Sequence, residues 1–66
     1  MKQQYKDYII TVNKIENASY GPGYRAEWYI PQAGLKKHLY VLYSFDKTIK
    51  SQAQMLKKTI EILEKL

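Results

Sequence analysis

The sequence predicts an α+β domain in which a three-stranded antiparallel sheet is followed by one carboxy-terminal helix packed on one face of the sheet. In the stretch YRAEWYI, at residues 24–30, apolar residues occupy every second position, as in a strand with one buried face. After Phe45 the spacing of apolar residues changes to about 3.6, the period of a helix. The chain of 66 residues allows a single domain, spanning 1–66, with a small core.

The first predicted strand spans about residues 5–15, and a loop follows at residues 16–22. The segment YGPG at residues 20–23 has the proline and glycine placement of a tight turn. Both faces of this strand carry apolar residues, so the inward face is assigned by its larger apolar share. That face carries Tyr8, Ile10 and Val12, and the other face carries Ile9, Thr11 and Asn13.

The second predicted strand spans residues 23–30 and ends before Pro31, which cannot donate to a sheet ladder. A hairpin through Gly34 leads to the third predicted strand at residues 37–45. Alternation places two sets of side chains on the opposite faces of this third strand. Facing the helix are Leu39, Val41, Tyr43 and Phe45, and facing away from it are His38, Tyr40, Leu42 and Ser44.

The predicted helix spans about residues 47–65, with Asp46 as its amino-terminal cap and Thr48 as the alternative cap. Its main apolar stripe consists of Ile49, Ala53, Leu56, Ile60 and Leu63. A second flank carries Met55, Thr59, Ile62 and Leu66. Two alternatives remain for this flank. It packs against the first strand or its loop, or it forms a symmetric homodimer through Met55, Ile62 and Leu66.

The composition excludes several kinds of stabilising site. The chain has no cysteine and one histidine, His38, so it cannot form a disulfide or a structural zinc site built on cysteine and histidine, and no metal or cofactor is expected. The longest apolar run, residues 39–43, is too short to span a membrane, and the amino terminus lacks the apolar core of a signal peptide. These features predict a soluble cytoplasmic protein with no membrane partner.

The net charge is +5, from 11 Lys and Arg against 6 Asp and Glu. This excess favours polyanions or acidic protein surfaces as partners, although scattered lysines also serve simply to keep small proteins in solution. No glycine-rich phosphate loop or carboxylate cluster points to an enzyme. Across the hairpin, His38 and Glu27 offer an acid–base pair, but an exposed polar pair is the more common arrangement. The sequence therefore predicts a non-enzymatic protein.

The sheet face predicted to point away from the helix has an unusual composition. It is assigned Arg25 and Tyr29 from the second strand, and His38, Tyr40 and Leu42 from the third. Tyrosine and leucine there place apolar area in water, and such patches tend to mark contact sites. Tyrosine and arginine also carry much of the binding energy in interfaces. We therefore expect this face to bind a partner.

The stretch YRAEWYIPQAGLKKHLYVLYSFDKTIKSQAQ, about half of the chain, resembles the DNA-binding domain of plant ethylene-response factors and the amino-terminal arm-binding domain of phage-type integrases. The likeness is one of element order and spacing. It implies that the sheet lies in the major groove, where Arg25, Tyr29, His38 and Tyr40 would face bases, and Lys36, Lys37 and Lys14 would contact phosphates. Those families usually offer several arginines on this face, whereas this chain has Arg25 alone beside Glu27.

DNA is therefore the partner that the sequence favours, and the alternative is a protein partner. In this interpretation the chain is a small phage or mobile-element protein that binds and inhibits or redirects a host protein. Tyr29, Tyr40 and Leu42 would be the anchors, surrounded by lysines that steer association. Glu27 is easier to accommodate here than over phosphates. Unpaired RNA bases stacked on Tyr29 and Tyr40 are a variant of the nucleic-acid hypothesis.

Overall fold

A four-stranded antiparallel sheet and one helix make up the structure, a computed structural model that describes residues 1–66. The elements are β1 (Lys2–Tyr5), β2 (Tyr8–Asn17), β3 (Gly21–Gln32), β4 (Leu35–Ser44) and α1 (Gln52–Glu64). The strands lie in the sheet in chain order, so each strand pairs with the next. The α+β class with a carboxy-terminal helix is confirmed. The prediction of a three-stranded sheet is wrong, because β1 adds a fourth strand.

The additional strand arises from the segment predicted as one strand over residues 5–15. The chain turns at Lys6, which has a positive φ of 53°, and Lys2–Tyr5 then pairs antiparallel with residues 8–11 of β2. The segment KQQY lacks the apolar alternation that predicts a strand, because it lies at the exposed edge of the sheet and has little to bury.

The turn between β2 and β3 lies earlier than predicted. The Asn17 side-chain oxygen accepts hydrogen bonds from the backbone N–H groups of Ser19, at 2.8 Å, and Tyr20, at 2.9 Å. The chain therefore reverses at residues 18–20, and Gly21 already pairs with Asn17. At its other end β3 continues through Pro31, which pairs with Lys36. Because the pairing of β3 with β2 stops at Tyr29, the missing N–H of Pro31 leaves no gap in that ladder.

The hairpin between β3 and β4 determines which side chains of β4 face the helix. Ala33 and Gly34 form a two-residue turn with φ of 51° and 79°, as in a type I′ turn. The register then shifts from Ile30 opposite Lys37 to Trp28 opposite Tyr40. One extra residue is thereby inserted into β4, next to His38, whose φ is 52°. This irregularity is a β-bulge.

The bulge reverses the predicted faces of β4. A regular hairpin with the same turn would place Leu39 opposite Trp28, which is the alternation that the sequence predicts. Instead Tyr40, Leu42 and Ser44 lie opposite Trp28, Ala26 and Tyr24 on the helix side. The predicted inward positions of Leu39, Val41 and Tyr43 are therefore wrong, and these three side chains point away from the helix.

The core lies between the centre of the sheet and α1, which packs against β2 and β3. The buried apolar side chains are Ile10, Val12, Tyr24, Ala26, Trp28, Met55 and Leu63. The buried Thr59 hydroxyl donates a hydrogen bond of 2.9 Å to the Met55 carbonyl, so a polar side chain is accommodated in this core. The predicted inward faces of the strands that contain Ile10 and Trp28 are confirmed.

The buried face of α1 combines two residues of the second flank, Met55 and Thr59, with Leu63 of the main stripe. The predicted stripe residues Leu56 and Ile60 are only partly buried, beside this face. Met55 and Thr59 of the second flank therefore pack within the chain, as in the first of the two alternatives above, whereas Leu66 of that flank is 86% exposed. Met55 is 0% exposed and cannot contribute to the dimer contact considered for it.

The helix begins later than predicted, at Gln52, and its amino-terminal cap is Ser51, whose side-chain oxygen accepts a hydrogen bond of 3.1 Å from the Gln54 N–H. The cap predictions of Asp46 and Thr48 are wrong. The Asp46 carboxylate instead accepts hydrogen bonds from the backbone N–H of Thr48 at 2.9 Å and from its hydroxyl at 2.8 Å. Asp46 and Thr48 thus stabilise the loop that precedes the helix.

Replacing Ser51 with alanine is expected to lower the free energy of unfolding by about 1 kcal/mol, because the Gln54 N–H loses its acceptor. Urea unfolding followed by circular dichroism measures the effect. Ser19→Ala is the matched control, since Ser19 lies exposed in a loop and caps no helix. Equal unfolding midpoints for the two variants would show that Ser51 does not cap α1.

Candidate functional site

We call the sheet surface turned away from α1 the open face. Cross-strand pairing fixes its members, because residues opposite each other in a ladder point to the same side. Glu27 lies between Thr11 of β2 and Val41 of β4. Arg25 lies in the same way between Asn13 and Tyr43. The side chains of the open face from β2, β3 and β4 are Ile9, Thr11, Asn13, Arg25, Glu27, Tyr29, Lys36, Leu39, Val41 and Tyr43.

Three charged side chains, Arg25, Glu27 and Lys36, follow one another along the open face in a charged row. The Arg25 Nη2 atom lies 3.0 Å from one carboxylate oxygen of Glu27, and the Lys36 Nζ atom lies 3.4 Å from the other. The hydrogen bond from Arg25, aided by Lys36, holds the pKa of Glu27 below its ordinary value. The Tyr43 side chain and Glu27 together raise the pKa of Arg25. Both cations of this row are thus engaged by one carboxylate.

Aromatic and aliphatic side chains surround the charged row. The Lys36 ammonium lies 4.9 Å from the Tyr29 ring centre, and the Arg25 guanidinium lies 6.0 Å from that of Tyr43. Along β4, the exposed fractions are 47% for Leu39, 41% for Val41 and 56% for Tyr43. The β4 side of the open face is therefore an apolar strip in contact with solvent.

The structure brings together Arg25, Tyr29 and Lys36 from the predicted site. Tyr40 and Leu42 instead lie on the helix side, where the Tyr40 ring stacks on Trp28 with 6.0 Å between ring centres. The remaining predicted residues also lie off the open face. By pairing, Lys14 is opposite Tyr24 and Lys37 is opposite Ile30, both on the helix side, and His38 lies at the bulge.

Sequence reasoning missed Leu39, Val41 and Tyr43 as surface residues because it assigned them to the core. The run Leu39–Tyr43 is apolar at every position, so both faces of this strand qualify as buried and alternation alone does not decide between them. An unbroken apolar run in an edge strand is the one signal that could have suggested an exposed apolar strip.

The rest of the surface has no candidate metal site and one groove. No group of three histidine, aspartate or glutamate side chains is placed to hold a metal ion. One shallow groove runs along α1, lined by Ala53, Leu56, Lys57, Ile60, Glu61 and Glu64. All of these residues belong to α1, on the opposite side of the sheet from the open face. The helix is too short and too polar to cross a membrane.

Comparisons with protein-family models, with curated proteins and with solved structures give no match to this chain.

Proposed function

We propose that this protein is a non-enzymatic binding protein that binds another protein through the open face. The apolar strip of Leu39, Val41 and Tyr43, exposed beside Arg25 and Tyr29, carries the proposal. Exposed apolar area of this kind tends to mark protein contact sites. Tyrosine and arginine at its centre are the side chains most often found among interface hot spots.

The arrangement of charges supports a protein partner over DNA. Arginine reads guanine with a fork of two N–H groups, and the Nη2 atom of Arg25 already donates to Glu27, so part of that fork is directed at a carboxylate. The Glu27 carboxylate would also lie close to phosphates or base edges, where it is repelled. Against a protein surface the same row of charges, satisfied within the chain, can be covered with little loss of hydrogen bonding.

DNA binding through the same face is the second candidate, and the net charge of +5 favours it. Lys36, at one end of the open face, would contact phosphates in this case. Apolar contact with thymine methyl groups would then be the role of Leu39 and Val41. The two candidates differ in how strongly salt weakens binding.

A pair of tyrosines on opposite faces of β4 tests the proposal. Tyr43 is 56% exposed on the open face and Tyr40 is 52% exposed on the helix side, so they are matched in residue type, strand and exposure. We expect Tyr43→Ser to weaken binding of the partner by about 2 kcal/mol, which raises Kd roughly 30-fold. Tyr40→Ser is expected to change Kd less than about threefold. The immobilised variants capture proteins from a nuclease-treated lysate of the source cells, and calorimetry with the recovered partner gives Kd.

Circular dichroism of both variants confirms that they are folded before binding is compared. Partner binding that survives Tyr43→Ser unchanged would rule out the open face as the site. Titration of a mixed-sequence duplex at two salt concentrations separates the two candidates. If the duplex binds through about four cations, the logarithm of the binding constant falls with the logarithm of the salt concentration with a slope of about −3.5. Duplex binding with this slope that is lost in Tyr43→Ser would show that the partner of the open face is DNA and not a protein.

A further inference from the structure

The outer edge of β4 has no neighbouring strand. The sheet order ends at β4, which is ten residues long, whereas the opposite edge strand, β1, has only four. An unpaired strand edge presents a row of N–H and C=O groups that can pair with another strand. Natural edge strands usually reduce this capacity with charges, prolines, bulges or short length.

The pairing pattern identifies which backbone groups of β4 are unpaired. Met1 and Val12 exchange two hydrogen bonds, of 2.7 and 3.0 Å, so Val12 bonds toward β1. Successive residues of an antiparallel strand bond to opposite neighbours, so Thr11 and Asn13 bond toward β3. In β3, Arg25 and Glu27 accordingly bond toward β2, and Ala26 and Trp28 bond toward β4, to Leu42 and Tyr40. The outward N–H and C=O groups of β4 therefore belong to Leu39, Val41 and Tyr43.

This part of the edge lacks the usual protection. Between the bulge at His38 and the end of β4 the sequence is LYVLYS, with no charge, proline or glycine. The two lysines of β4, Lys36 and Lys37, lie before the bulge. The residues that present unpaired backbone groups are also the residues whose apolar side chains are exposed. Backbone pairing and apolar burial would therefore occur together along this edge.

We propose that two copies of this chain pair through their β4 edges, antiparallel, with Val41 on the twofold axis. Leu39 of each copy then lies opposite Tyr43 of the other, and the outward groups form about six N–H···O=C bonds. Tyr40 lies opposite Leu42 of the other copy on the helix side. The two sheets become one sheet of eight strands, and the two open faces become one continuous surface.

A second copy fits this edge because the edge is complementary to itself. Leu39 and Tyr43 are equally distant from Val41 and both are apolar, so a twofold axis at Val41 matches apolar to apolar. The antiparallel direction also separates the lysines, since Lys36 and Lys37 of the two copies lie at opposite ends of the seam. Parallel pairing would place these lysines beside their own equivalents, where like charges repel.

Cysteine cross-linking tests the register, since the chain has no cysteine of its own. In the paired dimer the Val41 Cα atoms are about 5.5 Å apart, within reach of a disulfide. Leu39 lies about four positions from Leu39 of the other copy, roughly 13 Å along the strand, which is too far. We expect Val41→Cys to form covalent dimers about tenfold faster than Leu39→Cys, and a mixture of Leu39→Cys with Tyr43→Cys to form mixed dimers. Equal rates for the two single variants would overturn the proposal.

Sedimentation equilibrium of the chain alone tests the hydrogen bonds of the seam. Val41→Pro removes an outward N–H without removing a bond to β3, and Val41→Thr keeps that N–H with a side chain of similar shape. We expect a dimer in the wild type and in Val41→Thr, and a Kd raised about tenfold or more by Val41→Pro. Should Val41→Pro fail to fold, Val41→Lys places two like charges on the axis and is expected to give monomer. A wild type that stays monomeric at millimolar concentration overturns the proposal.

These measurements use no other protein and no DNA, so their outcome is independent of the partner proposed for the open face.

Discussion

Replacing Trp28 with alanine is expected to remove a large part of the free energy of unfolding of this protein. Trp28 is only 6% exposed, lies opposite Ile10 in the sheet and stacks on Tyr40. Its Nε1 atom is buried with no acceptor in hydrogen-bond distance, so the indole stabilises the fold through packed apolar area. Removing a buried tryptophan costs about 3 to 5 kcal/mol. At typical values per residue, a domain of this size has roughly 3 to 10 kcal/mol of stability in total.

Circular dichroism and urea unfolding measure the effect, with Tyr29→Ala as the neighbouring control. Tyr29 follows Trp28 in β3 but lies on the open face, where its ring contacts the Lys36 ammonium. We expect Tyr29→Ala to cost about 1 kcal/mol and to leave the far-ultraviolet spectrum unchanged. If the alanine variants of Trp28 and Tyr29 were equally stable, the assignment of the two faces of β3 would be wrong.

Replacing Gly23 with alanine has the second largest expected effect, a loss of about 2 to 3 kcal/mol. A Cβ atom at this position would lie 2.6 Å from the Ser44 carbonyl oxygen and 2.7 Å from the Phe45 Cε1 atom. The Phe45 ring is itself stacked on Tyr20, with 5.1 Å between ring centres, so its movement breaks a second contact. The start of β3 and the end of β4 must separate to admit one methyl group.

A double-mutant cycle with Phe45→Ala locates the clash. If the ring is the main obstacle, Gly23→Ala is expected to cost at least about 1 kcal/mol less in the Phe45→Ala background than in the wild type. The part of the cost that remains reports the contact with the Ser44 backbone oxygen. A wild-type unfolding midpoint for Gly23→Ala would contradict the close approach of β3 and β4 at this point.

Much of the fold could be predicted from local patterns where one face of an element is clearly more apolar than the other. In β3 the alternation around Trp28 is unambiguous, so its faces are predicted correctly. The helix has two apolar sides, and its buried face takes Leu63 from the predicted stripe and Met55 and Thr59 from the second flank. Thr59 makes the buried face hard to recognise, since a polar residue in the sequence suggests the surface. In the fold its hydroxyl donates to the Met55 carbonyl, so Thr59 can lie in the core.

The candidate site is harder to predict because it depends on register. Arg25 and Tyr29 belong to the open face as predicted, since β3 is regular over residues 24–30. Lys36, predicted as a phosphate contact, joins them there because it precedes the bulge. Tyr40 and Leu42 lie on the helix side instead of the open face because the bulge at His38, where φ is positive, shifts the alternation of β4 by one residue. Such a conformation is uncommon outside glycine, and although histidine adopts it more often than most residues do, it has no clear signal in a single sequence.

The bulge at His38 also bears on how this protein can change during evolution. Loss of one codon between Lys37 and Leu39 would restore a regular hairpin and turn Leu39, Val41 and Tyr43 to the helix side of the sheet. Tyr40 and Leu42 would then point to the open face, although no other amino acid had changed. Two descendants that differ by a single deleted residue could therefore align almost perfectly and yet present different side chains to their surroundings.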